Sequence, residues 1–294
     1  IIAKGKDKEN GGFVETSGKY LGVGNTANVE AKDWLLDPYN VRIVAGSGDS
    51  TNTNMFTATG NDAVIYNTTI TAALNKGTNV TITTDNPQGK QEGNLTVDAD
   101  IIKTGNKDAT LTLIANGTFS QNKQTTIKST SGKLNVNITS GHGLVLKGEI
   151  DTNEGDLNIN AFSRKKNKSN PNPNFSIDGA VLKGKGIVRI TGSADYLYNL
   201  NEKKAYNNLT INDTTFKGYG NEGLTLQYNA INRDWYDGKY VGQGGVLFAN
   251  NLTKAKGTLA VSWGLGKNEQ CYFDYQVNLD NESETMQIYD VKCK

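Results

Sequence analysis

Several residue types are nearly missing from this chain, and each absence closes a route. Of 294 residues, four are proline, two methionine, two cysteine and one histidine. His142, in Ser-Gly-His-Gly, is the lone imidazole. A nucleophilic triad needs a base held by a carboxylate beside a nucleophile, and no Gly-x-Ser-x-Gly accompanies it, so it reads as a loop residue. No HExxH or EF-hand spacing is present, which argues against a resident metal. No glycine-rich loop opens a helix, which argues against a bound nucleotide. No cofactor is implied. No apolar run reaches 18 residues, so no membrane-spanning helix is expected. A net charge of +1 gives no global pull toward nucleic acid.

Glycine, by contrast, reaches 33 residues, and asparagine and threonine are common. Mean hydropathy is −0.54 with 36% hydrophobic residues, low for a globular domain but too high for disorder. Short alternating units recur from Asn79 onward: NVTIT at 79–83, GNLTVDADI at 93–101, ATLTLIANGTF at 109–119, GKLNVNITS at 132–140 and GLVLKGEI at 143–150. GDLNINA, GIVRITG, NLTIND, GLTLQYNAI, GVLFANNLT and GTLAVSWG continue the series to 264. Period-two alternation buries one face of a strand. The units return every 15 to 30 or so residues, about one coil of a solenoid and too long for tight hairpins. The pattern predicts an all-β chain, a right-handed parallel β-helix (β-solenoid), with a β-sandwich as the competing architecture. Its inward residues include Leu95, Val97, Leu111, Leu113, Leu134, Val136, Leu144, Leu146, Leu157 and Ile159. Leu209, Ile211, Leu224 and Leu226 continue the set.

Earlier segments fit the same habit. Gly11 to Pro38 reads as extended pieces broken by Gly or Asn, with Trp34 and Leu35 expected inside and Pro38 redirecting the chain. Tyr66 to Leu74 is ambiguous: the Ile70 and Leu74 spacing allows a helical turn or two ended by Gly77. Arg164 to Asn174, basic and then rich in Pro and Asn, must leave the sheets as a loop. From Cys271 to Cys293, residues whose numbers sum to 564 face one another if the chain turns near Glu282. That arrangement predicts a hairpin with Val277 opposite Gln287, clamped at its open end by a Cys271–Cys293 disulfide. The clamp is worth roughly 3 kcal/mol and is suited to an oxidising compartment. The expected division is therefore a β-helix over 1–265 and a clamped cap over 266–294. Ile1-Ile2-Ala3 runs directly into Lys4, so no signal peptide is read, and a processed or excised piece of a longer chain is expected.

GGFVETSG at 11–18, followed by WLLDP at 34–38 with Asn40, Val41 and Ile43, resembles exoproteins of bacterial two-partner secretion. The nearest type is the high-molecular-weight adhesin and filamentous-haemagglutinin-like family. That resemblance implies a passenger segment behind a secretion domain. It implies passage through an outer-membrane translocator, a secreted or cell-surface location, and virulence through adhesion to host-cell glycans or glycoproteins without catalysis. It also implies modification of Asn-x-Ser/Thr sequons, which occur at Asn67, Asn79, Asn94, Asn116, Asn137, Asn167, Asn174, Asn208, Asn212, Asn251 and Asn281.

Glycan binding needs aromatic faces beside charged and amide groups. Tyr228, Arg233, Trp235, Tyr236 and Tyr240 supply that mixture, against the plainer reading of an irregular packed coil. Arg164, Lys165 and Lys166 offer a basic cluster for acidic sugars, against the plainer reading of a solvated loop. Two other functions compete with adhesion. One is nutrient acquisition by capture of a host haem-carrier protein. The other is polysaccharide cleavage, for which Asp98 and Asp100 share a strand face.

Overall fold

A computed structural model describes residues 1–8, 10–18, 21–24, 26–46, 62–84, 91–163 and 174–195. Beyond 195 it describes strand backbones only, between Tyr198 and Gln287. The described residues are mostly strand, in line with an all-β reading, with one short helix, Asn67–Asn75.

Three sheets carry the architecture. The first runs through Phe13–Ser17, Asp33–Asp37, Asn79–Thr83, Ala109–Ala115, Leu134–Ser140, Leu157–Ser163, Val188–Asp195, Leu224–Ile231, Thr258–Ser262 and Tyr275–Asn278. The second includes Val41–Val44, Leu95–Val97, Thr118–Gln121, Gly143–Leu146, Asn174–Asp178, Asn208–Asn212 and Val246–Leu252. The third stacks Ile101–Lys103, Thr126–Ser129, Glu149–Asp151, Val181–Lys183 and Thr215–Lys217. From Ala109 to Lys217 the chain visits the three in rotation, and each strand pairs in parallel with its equivalent from the previous round.

The register explains the sequence rhythm. Leu111 aligns with Val136, Val136 with Leu157, Leu157 with Val188, and Val188 with Leu224. Like stacks on like at about 4.8 Å, so one apolar column continues through the sheet. Leu95, Val97, Leu111, Leu113, Leu134, Val136, Leu144, Leu146, Leu157 and Ile159 are all fully buried. Each such side chain adds roughly 1.5–3 kcal/mol of burial. The side chains of Leu209, Ile211, Leu224 and Leu226 lie outside the described residues. In the early turns Val14, Trp34, Leu36 and Pro38 point inward, while Leu35 is only partly buried. Period two puts Trp34 and Leu36 on one face, which corrects the pairing of Trp34 with Leu35. The Trp34 indole N–H donates to Thr16 Oγ1 at 2.9 Å, so it is buried with its donor satisfied.

Asn67–Asn75 resolves the ambiguous stretch as helix. It buries Thr69, Ile70, Ala73 and Leu74 on one face and ends at Gly77, whose φ of 84° suits the left-handed turn of a helix stop. The helix lies against the first strand of the third sheet. Its two ends fasten there: Asn67 Nδ2 donates to the Asp100 carbonyl at 2.7 Å, and Asn75 Oδ1 accepts the Thr104 and Gly105 N–H groups at 2.7 and 2.8 Å. An otherwise unpaired strand end is thereby covered. Strand Ala63–Tyr66, just before the helix, steps back a level and inserts between Gly22–Val23 and Val41–Val44.

The tail departs from the expected hairpin. Tyr275–Asn278 joins the first sheet, with Val277 opposite Leu259, and Glu284–Gln287 joins the second, with Gln287 opposite Phe248. The two arms extend separate sheets instead of pairing with each other. Cys271 and Cys293 lie outside the described residues, and no disulfide occurs among the described ones.

Candidate functional site

Two regions carry functional interest, one at each end of the stack. The C-terminal one is where antiparallel pairing enters the sheets. Val246–Leu252 and Thr258–Ser262 still pair in parallel with upstream strands, and a short antiparallel ribbon already joins Tyr198–Asn199 to Lys204–Ala205. Trp235 faces Tyr240 and Tyr236 faces Lys239 in a two-stranded ribbon. Thr258–Ser262 then takes Tyr275–Asn278 antiparallel, and Val246–Leu252 takes Glu284–Gln287 antiparallel. Tyr228 sits on Leu224–Ile231, in register with Gly192. The backbone therefore brings Trp235, Tyr236 and Tyr240 into one ribbon and leaves Tyr228 on the first sheet. Arg233, Arg164, Lys165 and Lys166 lie outside the described residues.

The second region is a cleft of about 590 Å³ at the opposite end, where the N-terminal loop folds over two corners of the stack. Its lining includes Lys4, Lys6, Lys8, Lys32, Lys76 and Lys107 against Asp7, Glu30 and Asp108. Lys8 Nζ donates to the Asp108 carbonyl at 2.7 Å, tying the loop to a corner a hundred residues away. Glu30 serves two ammonium groups, Lys4 at 3.3 Å and Lys76 at 4.0 Å, and Lys76 also donates to Asn28 Oδ1. Sequence reading missed this cleft because its lysines come from separate segments. The alternation Lys4-Gly5-Lys6-Asp7-Lys8 was the one local signal.

Just beneath it lies Lys103, a fully buried lysine. Its Nζ donates to the Gly105 carbonyl and, at 2.5 Å, to the Ser131 carbonyl. Burial pushes its ammonium pKa down, Asp108 opposes that shift and Lys8 adds to it.

Asp98 and Asp100, expected to share a strand face, fall instead in the connection between Leu95–Val97 and Ile101–Lys103, and both are committed to structure. Arg42 donates to Asp98 Oδ2 through Nε at 2.9 Å and Nη2 at 2.6 Å, and Asn122 donates to Asp98 Oδ1. Asp100 Oδ1 accepts the Thr126 N–H at 2.8 Å, one round further on. His142 is partly buried in its turn, with its backbone N–H donating to the Gly117 carbonyl at 2.9 Å. Burial lowers its pKa, with Glu92 acting in the opposite direction. No cluster of metal-ligating side chains occurs among the described residues.

Several sequon asparagines are also engaged. Asn79 Oδ1 accepts the Thr110 N–H, Asn94 Oδ1 accepts the Thr118 N–H, and Asn137 Nδ2 donates to Thr112 Oγ1. Asn67 holds the helix as described. Asn167 lies outside the described residues, as do Asn281 and the side chains of Asn174, Asn208, Asn212 and Asn251. Asn116 stands partly exposed at a bend.

Residues 232–279 match the PapC C-terminal domain family. The match takes in the aromatic ribbon and the start of the antiparallel ladders. Three curated sequences, each an outer membrane usher protein HifC of Haemophilus influenzae, are 54% identical to this chain over 61 residues. That stretch is 20% of this chain and 7% of the usher. The chain thus spans about 7% of the length of the curated relatives it matches. No solved structure matches it.

These usher matches overturn the two-partner-secretion resemblance. The residues that carried it have a structural explanation instead. Val14 aligns with Trp34, Gly11 packs against the Lys32 stem, and Pro38 is a buried corner. The glycine and strand spacing of stacked parallel strands was mistaken for a family mark. With it fall the haemagglutinin-like label and the reading of a secreted adhesin for host glycans. The haem-carrier and polysaccharide-cleavage alternatives fall too, and the translocator partner loses its basis. No helix among the described residues is long and apolar enough to cross a membrane, which says nothing of β-barrels.

Proposed function

We propose that residues 232–279 act as an usher-type C-terminal module at the bacterial outer membrane, engaging chaperone–pilin complexes during pilus assembly. The single observation that carries this reading is the 54% identity to an outer membrane usher. The antiparallel Trp235–Tyr240 ribbon inside the matched segment supports it, because it gathers three aromatic residues on one short backbone unit.

The preceding part of the chain forms a right-handed parallel β-helix that carries the module as a rigid, non-catalytic support. Rotation of the chain through three parallel sheets supports this finer description. The commitment of Asp98 and Asp100 to internal bonds supports a non-catalytic role. Tyr and Trp suit docking surfaces because they bury large area with few rotatable bonds. Trp235, Tyr236 and Tyr240 are therefore the module's proposed contact residues.

Purified chaperone–pilin complex, passed over the immobilised full chain, tests this. Saturable capture that weakens about tenfold or more in Trp235→Ala/Tyr236→Ala, equivalent to about 1.4 kcal/mol, is the expected result. Absence of capture contradicts the assignment.

A further inference from the structure

We infer that the lysine-lined cleft at the N-terminal end of the stack binds a phosphomonoester on a sugar-sized or lipid headgroup. The charge there is local: the whole chain carries only +1, yet among the described residues six lysines meet three carboxylates in this one cleft. The carboxylates are occupied. Asp7 Oδ1 accepts from the Asn10 backbone N–H at 3.0 Å and from its amide at 2.8 Å. Asp108 Oδ1 accepts the Lys133 N–H at 2.9 Å, and Glu30 is shared between Lys4 and Lys76. Lys6 and Lys107, both exposed, have no carboxylate within ion-pair distance among the described residues.

The arrangement is built by packing as well as by chance of composition. Gly77 lies so close to Lys107 that an added Cβ would come within 3.0 Å of that lysine's own Cβ. Gly11 holds the same relation to Lys32, at 2.8 Å. The two glycines let lysine stems lie on the backbone at the rim. The Lys8 bond to Asp108 holds the loop closed over them. A volume near 590 Å³ falls within the range of small-ligand sites. Lysine binds phosphate as a point charge without needing bidentate geometry. A phosphomonoester carries about −1.5 to −2 near pH 7, so it neutralises the local excess better than a single carboxylate does.

The test uses the full chain and two probes that share this group. Glucose 6-phosphate, followed by calorimetry, is the soluble arm. Phosphatidylcholine vesicles containing phosphatidic acid, followed by co-sedimentation, are the membrane arm. Binding is expected in at least one arm, and the arm that responds identifies the source. Lys6→Gln/Lys107→Gln is expected to weaken it about tenfold. Lys123→Gln/Lys147→Gln, which removes the same charge elsewhere on the surface, should change it less than about twofold. Equal weakening by both double variants would reveal unspecific charge attraction and overturn the inference. So would absence of binding in both arms.

Discussion

The Asn158 side-chain amide donates to Asn137 Oδ1 at 2.9 Å, across one round of the stack. Asn137 passes the bond on to Thr112 Oγ1 at 3.4 Å, and Arg189 Nη1 reaches Asn158 Oδ1 at 3.5 Å. Two residues earlier a parallel row runs from Asn79 to Thr110, and from Asn135 to Asp156 and Ile187. The abundant asparagine is thus a lateral tie between coils. Removing it in Asn137→Ala should cost about 1–2 kcal/mol. A double-mutant cycle with Asn158→Ala, read by urea denaturation, should show the two costs to be less than additive.

Lys103 is the clearest case of a buried charge held by carbonyl oxygens. In Lys103→Ala, two partly buried carbonyl acceptors lose their donor and a cavity opens. The loss should be about 3 kcal/mol or more. Lys103→Met keeps the stem volume and should recover part of it. A thermal scan of both variants distinguishes packing from hydrogen bonding.

Gly132 has φ of 68°, and a Cβ there would stand 2.5 Å from the Asn106 carbonyl oxygen and 3.0 Å from Lys103 Nζ. Gly132→Ala should therefore destabilise by more than the roughly 1–2 kcal/mol of a left-handed residue alone. Gly179→Ala, with φ of 65° but open space around it, should cost only that conformational part. The difference in denaturation midpoint between the two isolates the clash.

His142 gives the fold one pH dependence near neutrality. Its folded pKa lies below the ordinary 6.5 because burial disfavours the imidazolium. The unfolded chain therefore binds the proton more readily. Its stabilising contribution is complete above pH 6.5 and is lost as pH falls through the lowered folded value. Urea midpoints between pH 7.5 and 5.5 should fall for the parent protein. The drop should be smaller in His142→Gln, which has no titrating group there; equal drops would remove His142 as the cause.

The repeating core was legible because period two and apolar spacing report directly on strand faces. Leu111, Val136 and Leu157 needed nothing more. Lys103 was hidden because alternation from Ile101 places a lysine inward, where composition rules never look for one. The helix was half legible: Ile70 and Leu74 suggested it, but the Asn75 contacts that hold it come from the following round. The lysine cleft was invisible because its parts meet only in three dimensions. The aromatic stretch at Tyr228–Tyr240 stood out in the sequence as a glycan-binding candidate, and the family match begins within it, at residue 232. The two-partner-secretion resemblance misled because the glycine-strand rhythm upstream belongs to stacked parallel strands in general, whereas the usher likeness lies in residues 232–279.

The most direct test is binding of a purified chaperone–pilin complex to the full chain, measured by surface plasmon resonance at physiological salt. The account predicts saturable binding that is lost when residues 232–279 carry Trp235→Ala, Tyr236→Ala and Tyr240→Ala together, with the circular dichroism of the stack unchanged. Absence of binding by the parent chain, or undiminished binding by that folded variant, would contradict it.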